Sequence, residues 1–139
     1  MNKNELKSIL KRINTIAVIG ASSNPLRDSN KVMNYLIKKG YEVFPVNPNE
    51  ADNQILGRKC YSNLKDIGMR IDMVDIFRAR EFVMEIAKDA IQVGVDVFWT
   101  QEGIEDKKSA TLIEQAGIIS VMNNCLLYTS DAADDRNCV

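Results

Sequence analysis

The apolar run Ile16–Ile19 ends at Gly20 and is followed by Ala21, Ser22, Ser23, Asn24 and Pro25, with Arg27 and Ser29 a few residues further on. Small residues between a strand and a helix leave backbone N–H groups uncovered at the helix N-terminus. Orphan amides and the helix dipole together favour an anion there, usually a phosphate. Arg27 adds a guanidinium for the same phosphate, and Ser29 a hydroxyl that serves as helix cap or as donor. The chemistry implied is the binding of a nucleotide-like ligand. A lone glycine after a strand also suits an ordinary strand-to-helix turn, and Arg27 and Ser29 are what raise the binding reading above it.

The loop is neither a GxGxxG dinucleotide fingerprint nor a Walker loop, since it has one glycine and no GK[ST] follows. An NAD site would also place Asp or Glu at the end of the second strand to hold the ribose diol. Here the strand ends in Val46-Asn47-Pro48-Asn49, which argues against NAD and leaves NADP, with Arg58 and Lys59 nearby, as a weaker option. An amide at Asn47 or Asn49 can hold a nucleotide hydroxyl or phosphate, although Asn and Pro equally favour a plain turn.

Arg78 and Arg80 follow the third strand directly. Arg78 either stacks on a base or pairs with a phosphate, or else begins a solvated helix. Phe77 and Phe82 read as core rather than as an adenine platform. The fourth strand ends in Thr100, Gln101 and Glu102, a hydroxyl, an amide and a carboxylate together. With no second positioned group beside it, Glu102 reads as a helix cap rather than a catalytic acid or base. Cys60 reads as an inert thiol, because only Arg58 and Lys59 lie near enough in sequence to lower its pKa. The chain has no histidine, which removes Ser–His and Cys–His nucleophile pairs, phosphohistidine intermediates and imidazole metal sites.

The elements that must position these residues alternate. Leu6, Ile9, Leu10 and Ile13 form one face of an amphipathic helix over Asn4–Ile13. A strand is expected at Thr15–Gly20. A helix follows from Ser29 or Asn30, carrying Val32, Met33, Leu36 and Ile37 and stopped by Gly40. Tyr41–Val46 is a second strand. Glu50–Met69 is expected to be irregular apart from a short helix at Ser62–Ile67. Asp72–Phe77 is a third strand, and a helix bearing Phe82, Val83, Ile86, Ala87, Ala90 and Ile91 runs to Gly94. Val95–Thr100 is a fourth strand, Glu105–Ala116 a helix and Ile118–Met122 a fifth strand. Strands alternating with helices imply an α/β fold, a doubly wound parallel five-stranded sheet with right-handed crossovers. Ligands of such sheets sit outside the strand C-termini where strand order reverses. The strand ends are GASSNP, VNPN, FRAR, WTQEG and VMNN, four of the five unusually polar or Gly/Pro-containing, and they mark that rim.

A chain of 139 residues suits one domain. A net charge of −1 and a pI near 5.5 give no basic excess for a nucleic acid. No segment approaches the roughly 20 apolar residues of a membrane span, and MNKNELKSILKR lacks a signal core. A cytoplasmic protein that touches neither membrane nor nucleic acid is expected. Cys60, Cys125 and Cys138 make no disulfide framework or metal spacing and are expected as reduced thiols. Periodicity ceases at Asn124, so the domain is placed at 1–124, and 125–139 is read as a non-native or disordered tail. Its segment CLLYTSDAAD resembles a translated transposase adaptor from sequencing-library preparation. The other reading is a native docking tail.

AVIGAS at 17–22, NPLRDS at 24–29, FPVNPNE at 44–50, ILGRKCY at 55–61, DMVDIFR at 72–78, VFWTQEG at 97–103 and VMNNC at 121–125 together resemble the small stand-alone proteins of the Rossmann-like CoA-binding family. The domain is also similar to the CoA-binding part of succinyl-CoA synthetase, whose TEG strand end compares with Thr100–Gly103. That enzyme's phosphate transfer needs a histidine, so its activity does not carry over. The resemblance implies coenzyme A or an acyl-CoA along the sheet rim. Gly20 would begin the loop. Ala21, Ser22, Ser23 and Asn24 would contact the pyrophosphate, assisted by Arg27. Asn47, Pro48 and Asn49 would border the nucleotide, Phe77 and Arg78 the adenine, and Thr100 and Gln101 the pantetheine. The expected function is CoA binding with no evident catalytic group. Its rivals are an NADP-dependent oxidoreductase, a CoA-thioester enzyme using Cys60 or Glu102, and an interaction module. The acyl group is undetermined, and homo-oligomers are allowed.

Overall fold

The computed structural model describes residues 1–126. Helix α1 (Lys3–Arg12) opens on a capping box in which Asn2 and Glu5 satisfy each other's backbone N–H. It buries Leu6, Ile9 and Leu10, the face read from their spacing. Strand β1 (Thr15–Ile19), helix α2 (Asp28–Lys38) and strand β2 (Glu42–Val46) follow. A short hairpin, β3 (Gln54–Ile55) and β4 (Arg58–Lys59), precedes β5 (Met73–Ile76), α3 (Arg80–Val93), β6 (Val97–Thr100), α4 (Lys107–Gln115) and β7 (Ile119–Val121).

The five-stranded sheet has the order β2-β1-β5-β6-β7, and every pairing in it is parallel. Chain order runs from β1 outward to β2, then jumps back past β1 to β5. The topological switch point is therefore between β1 and β5. Alternate residues of the strands divide two cores. Ile16, Val18, Met73 and Trp99 pack with α1 and α2, whereas Ala17, Ile19, Val74, Ile76 and Phe98 pack with α3 and α4. These strands are buried on both faces, which is why they read as continuous apolar runs.

Several boundaries differ from the sequence reading. Helix α2 begins at Asp28, before Ser29. Helix α4 begins at Lys107, because Asp106 caps it by accepting from the Ser109 N–H and hydroxyl; Glu102 is not the cap. The stretch expected to be irregular contains 3-10 turns at Pro48–Glu50 and Leu64–Ile67 and the β3–β4 hairpin. That hairpin turns on Leu56 and Gly57, both at positive φ, a conformation which Leu seldom signals. Phe82, expected in the core, is 37% exposed. Cys125 and Leu126 are buried, Leu126 in the α1–α2 core, so packing extends beyond the boundary expected at Asn124. Cys125 is disulfide-bonded, against the reduced state expected for it. Cys138 and the rest of the expected tail lie outside the described residues.

Candidate functional site

At the end of β1 the N–H groups of Gly20 and Ala21 both donate to the Val46 carbonyl, at 2.9 and 3.2 Å. The chain turns out of the sheet there with Gly20 at φ 90°, a region that glycine occupies at little cost. A Cβ on Gly20 would stand 3.2 Å from the carbonyl carbon and oxygen of Phe77 and 3.3 Å from Arg78 Cδ. Glycine is thus required twice, by conformation and by the close approach of the segment after β5.

The loop beyond Gly20 is braced by its own side chains. Asn47 Nδ2 donates to the Ala21 carbonyl at 2.7 Å while its Oδ1 accepts from Asn49 N–H. Asn30 Nδ2 donates to the Ser22 carbonyl at 2.9 Å. The Ser22 hydroxyl accepts from Asn24 N–H, and Asn24 Oδ1 from Leu26 N–H. Glu50 Oε2 accepts from Ser23 N–H at 3.1 Å. Among the described residues, the N–H groups of Ser22, Asp28 and Ser29 meet no protein acceptor. The last two belong to the first turn of α2, whose amides have none within the helix. Arg27 holds the cap position and makes no side-chain cap bond, so Ser29, buried one residue inside the helix start, is not the cap.

The residues that carry these open amides line a cleft of about 510 Å³ at the switch point. Gly20, Ala21, Ser22, Arg27 and Ser29 line it from the loop, and Asn47, Phe77 and Gln101 from the other strand ends. Pro48 and Arg78 instead line an adjoining hollow of about 260 Å³ with Phe82, Ser62 and Asn63, and Gly20 borders both spaces. Ser23, Asn24 and Asn49 are exposed and line neither. Thr100 is wholly buried beneath the rim, where its hydroxyl donates to the Ile104 carbonyl at 2.7 Å and accepts from Asn123 N–H at 3.0 Å. It shapes the loop rather than facing the cleft.

Leu26, Asp28 and Ile104 also line the cleft and are not among the residues the sequence points to. Asp28 reads as loop in the sequence, where the helix is expected from Ser29 or Asn30, whereas α2 starts at Asp28 itself. Leu26 and Ile104 have no polar signature to mark them. Asp28 and Glu102 bring two carboxylates to a space with one guanidinium, Arg27. Attraction for an anion must therefore come mainly from the backbone amides and Arg27. Arg78 lies over the Phe82 ring, 4.1 Å from its centroid, a cation–π pair at the mouth of the second hollow. Cys60 is fully buried, and desolvation pushes its thiol pKa up despite a contact with the Asn47 carbonyl. It stays a neutral thiol away from the cleft. No metal-binding group of His, Cys, Asp or Glu occurs among the described residues.

Comparison with known proteins follows the same outline. The uncharacterized protein YneT of Bacillus subtilis is 35% identical over 125 residues, spanning 90% of this chain and 91% of that one. A hypothetical protein from Pyrococcus horikoshii OT3, of known structure, is similar with a TM-score of 0.86 and 38% identity, over 93% of this chain and 89% of that one. The alpha subunit of an ADP-forming acetate–CoA ligase of Pyrococcus furiosus is 36% identical over 87 residues, 60% of this chain but 19% of the subunit. Residues 14–131 match the family described as CoA binding domain.

Proposed function

The chain belongs to the CoA binding domain family, and from that membership we propose that it binds coenzyme A or an acyl-CoA in the cleft beside Gly20. The observation that carries the reading is convergence. Residues picked from three separate strand ends, around Gly20, Asn47 and Gln101, line one cleft at the switch point of a parallel sheet. The pyrophosphate would take the open N–H groups of Ser22, Asp28 and Ser29, with Arg27 as its cation. The adenine would pass Gly20 toward Arg78 and Phe82, and the pantetheine would run along Gln101 and Ile104. Ser23, Asn24, Pro48, Asn49 and Thr100 would act by shaping the loops.

No catalytic role is assigned. The NADP reading is weakened by its two basic residues: Arg58 donates to the Leu56 carbonyl of its own hairpin, and Lys59 lies beside Asp52 and Tyr61. No helix among the described residues is long and apolar enough to cross a membrane, and a cytoplasmic location belongs to the same proposal.

Calorimetric titration with CoA, acetyl-CoA, NAD and NADP tests the reading. Micromolar binding of CoA or acetyl-CoA, weakened by Arg27→Ala and absent for the nicotinamides, is expected. Binding of NADP without CoA overturns it. Thioester turnover abolished by Cys60→Ala or Glu102→Gln would replace it with the enzyme reading.

A further inference from the structure

Asp75 lies at the centre of the sheet, paired with Val18 of β1 and Trp99 of β6, and is wholly buried. Its Oδ1 accepts from Gln101 Nε2 at 2.5 Å, while Oδ2 has no hydrogen-bond partner among the described residues. Among the described residues, no hydrogen bond or ion pair joins it to a charged group. Val18, Trp99 and Met73 flank it in the strands, and α1 and α2 bring Leu10 and Met33 to the same core. Burial raises its pKa, and the hydrogen bond from the Gln101 amide opposes that rise.

Gln101 is where this buried acid meets the cleft. It lines the cleft yet is only 4% exposed. Its Oε1 accepts from the backbone N–H of Leu126 at 3.3 Å, a contact that does not depend on which side chain residue 126 carries. Around it the rim and the segment after β7 are laced together. Trp99 Nε1 donates to the Asn124 carbonyl at 2.9 Å, Asn124 N–H to the Thr100 carbonyl at 3.1 Å, and Gly103 N–H to Asn123 Oδ1 at 2.6 Å.

Resting on the CoA reading of the cleft, we propose that Asp75 is a positioning residue: its carboxylic acid holds the Gln101 amide, and through it the 123–126 segment, in the arrangement that completes the β6 rim of the binding cleft. The proton matters because an ionised carboxylate with one hydrogen bond and no counter-charge is far costlier to bury than the neutral acid. Burial raises this carboxyl to about 7. Above that pH the cheapest relief is hydration, and Gln101 is the side chain between Asp75 and the solvent-filled cleft. The rim loosens, and affinity falls with it.

The test is a pair of pH profiles, for wild type and Asp75→Asn. Between pH 6 and pH 8.5 the wild type should lose roughly tenfold in CoA affinity beyond any loss in the variant. CoA's own titrating groups act alike on both proteins and cancel in the comparison. Without ligand, the melting temperature of the wild type should fall by roughly 5–10 °C across that range relative to the variant. Superimposable affinity profiles overturn the proposal and leave the CoA reading intact. Divergent melting profiles with no CoA binding at any pH overturn the CoA reading and uphold the acid–amide lock. Should Asp75→Asn fail to fold, a 13C-carboxyl NMR titration of the wild type replaces it. An Asp75 resonance that titrates near 7 together with the Gln101 side-chain amide supports the proposal, and one that titrates near 4 overturns it.

Discussion

The two rims of the same sheet are built on opposite terms. At the strand starts, Asp72 Oδ2 accepts from the N–H groups of Asn14 and Thr15 at 2.8 and 3.2 Å. Asp72 N–H in turn donates to the Thr15 hydroxyl at 2.8 Å, and Arg70 bridges Asp72 and Asp96. At the strand ends, three residues further along the same chain, Asp75 has an oxygen with no partner among the described residues, and among them the N–H groups of Ser22, Asp28 and Ser29 stay open. One rim satisfies its polar groups internally and locks β1 to β5. The other holds polar capacity in reserve, the usual condition of a site that meets a ligand.

The contrast is sharpest in the two carboxylates. Desolvation raises the Asp72 pKa, but hydrogen bonds from Asn14, Thr15 and Arg70 outweigh it and hold the group below its ordinary value. Asp75 lies at about 7. Their pH effects therefore have opposite signs. Asp72 contributes stability that is present above the ordinary carboxylate range and is lost as pH falls through its depressed pKa. Asp75 contributes most below that range, and its contribution is lost as pH rises toward about 7.

The largest expected effect follows from that difference. At pH 8 the buried charge costs about 4 kcal/mol relative to the neutral acid, so Asp75→Asn should be more stable than wild type by about 2–4 kcal/mol in urea unfolding. Near pH 4 the two should converge. Gly20→Ala, which meets both the positive φ and the Phe77 carbonyl, should cost about 2–3 kcal/mol by the same measurement, and CoA affinity should fall with it. At the opposite rim, Asp72→Ala should cost about 1–2 kcal/mol at pH 7 through two unpaired N–H groups, with CoA affinity unchanged. Equal loss of affinity from Asp72→Ala and Gly20→Ala would erase the distinction between the rims. The smallest effect is electrostatic. Asp28→Asn, which removes one of the two carboxylates in the cleft, should tighten CoA binding by roughly 2- to 5-fold in low salt.

Much of this contrast can be read from residue order. DMVDIF at 72–77 reads as a buried strand, and Leu6, Ile9, Leu10 and Ile13 read as a helix face, because burial imposes periodicity on the apolar residues themselves. Gly20, Asn47 and Gln101 are legible because ligand rims follow parallel strands. Other features answer to neighbours distant in the chain. Nothing local shows that Asp75 would be sealed between Val18 and Trp99 while Asp72 meets Asn14 and Arg70. Phe82 looks like core by spacing, yet Arg78 covers it at the surface. Glu102 looks like a cap because it precedes a helix, but Asp106 is nearer and bonds Ser109.

The central claim is that the open amides of one rim receive the ligand's phosphates, and backbone N–H NMR during a CoA titration addresses it residue by residue. The largest shifts should fall on Ser22, Asp28 and Ser29, with Asn14, Thr15 and Asp72 unmoved. Shifts that spare the Gly20 loop, or that appear equally at both rims, would contradict it.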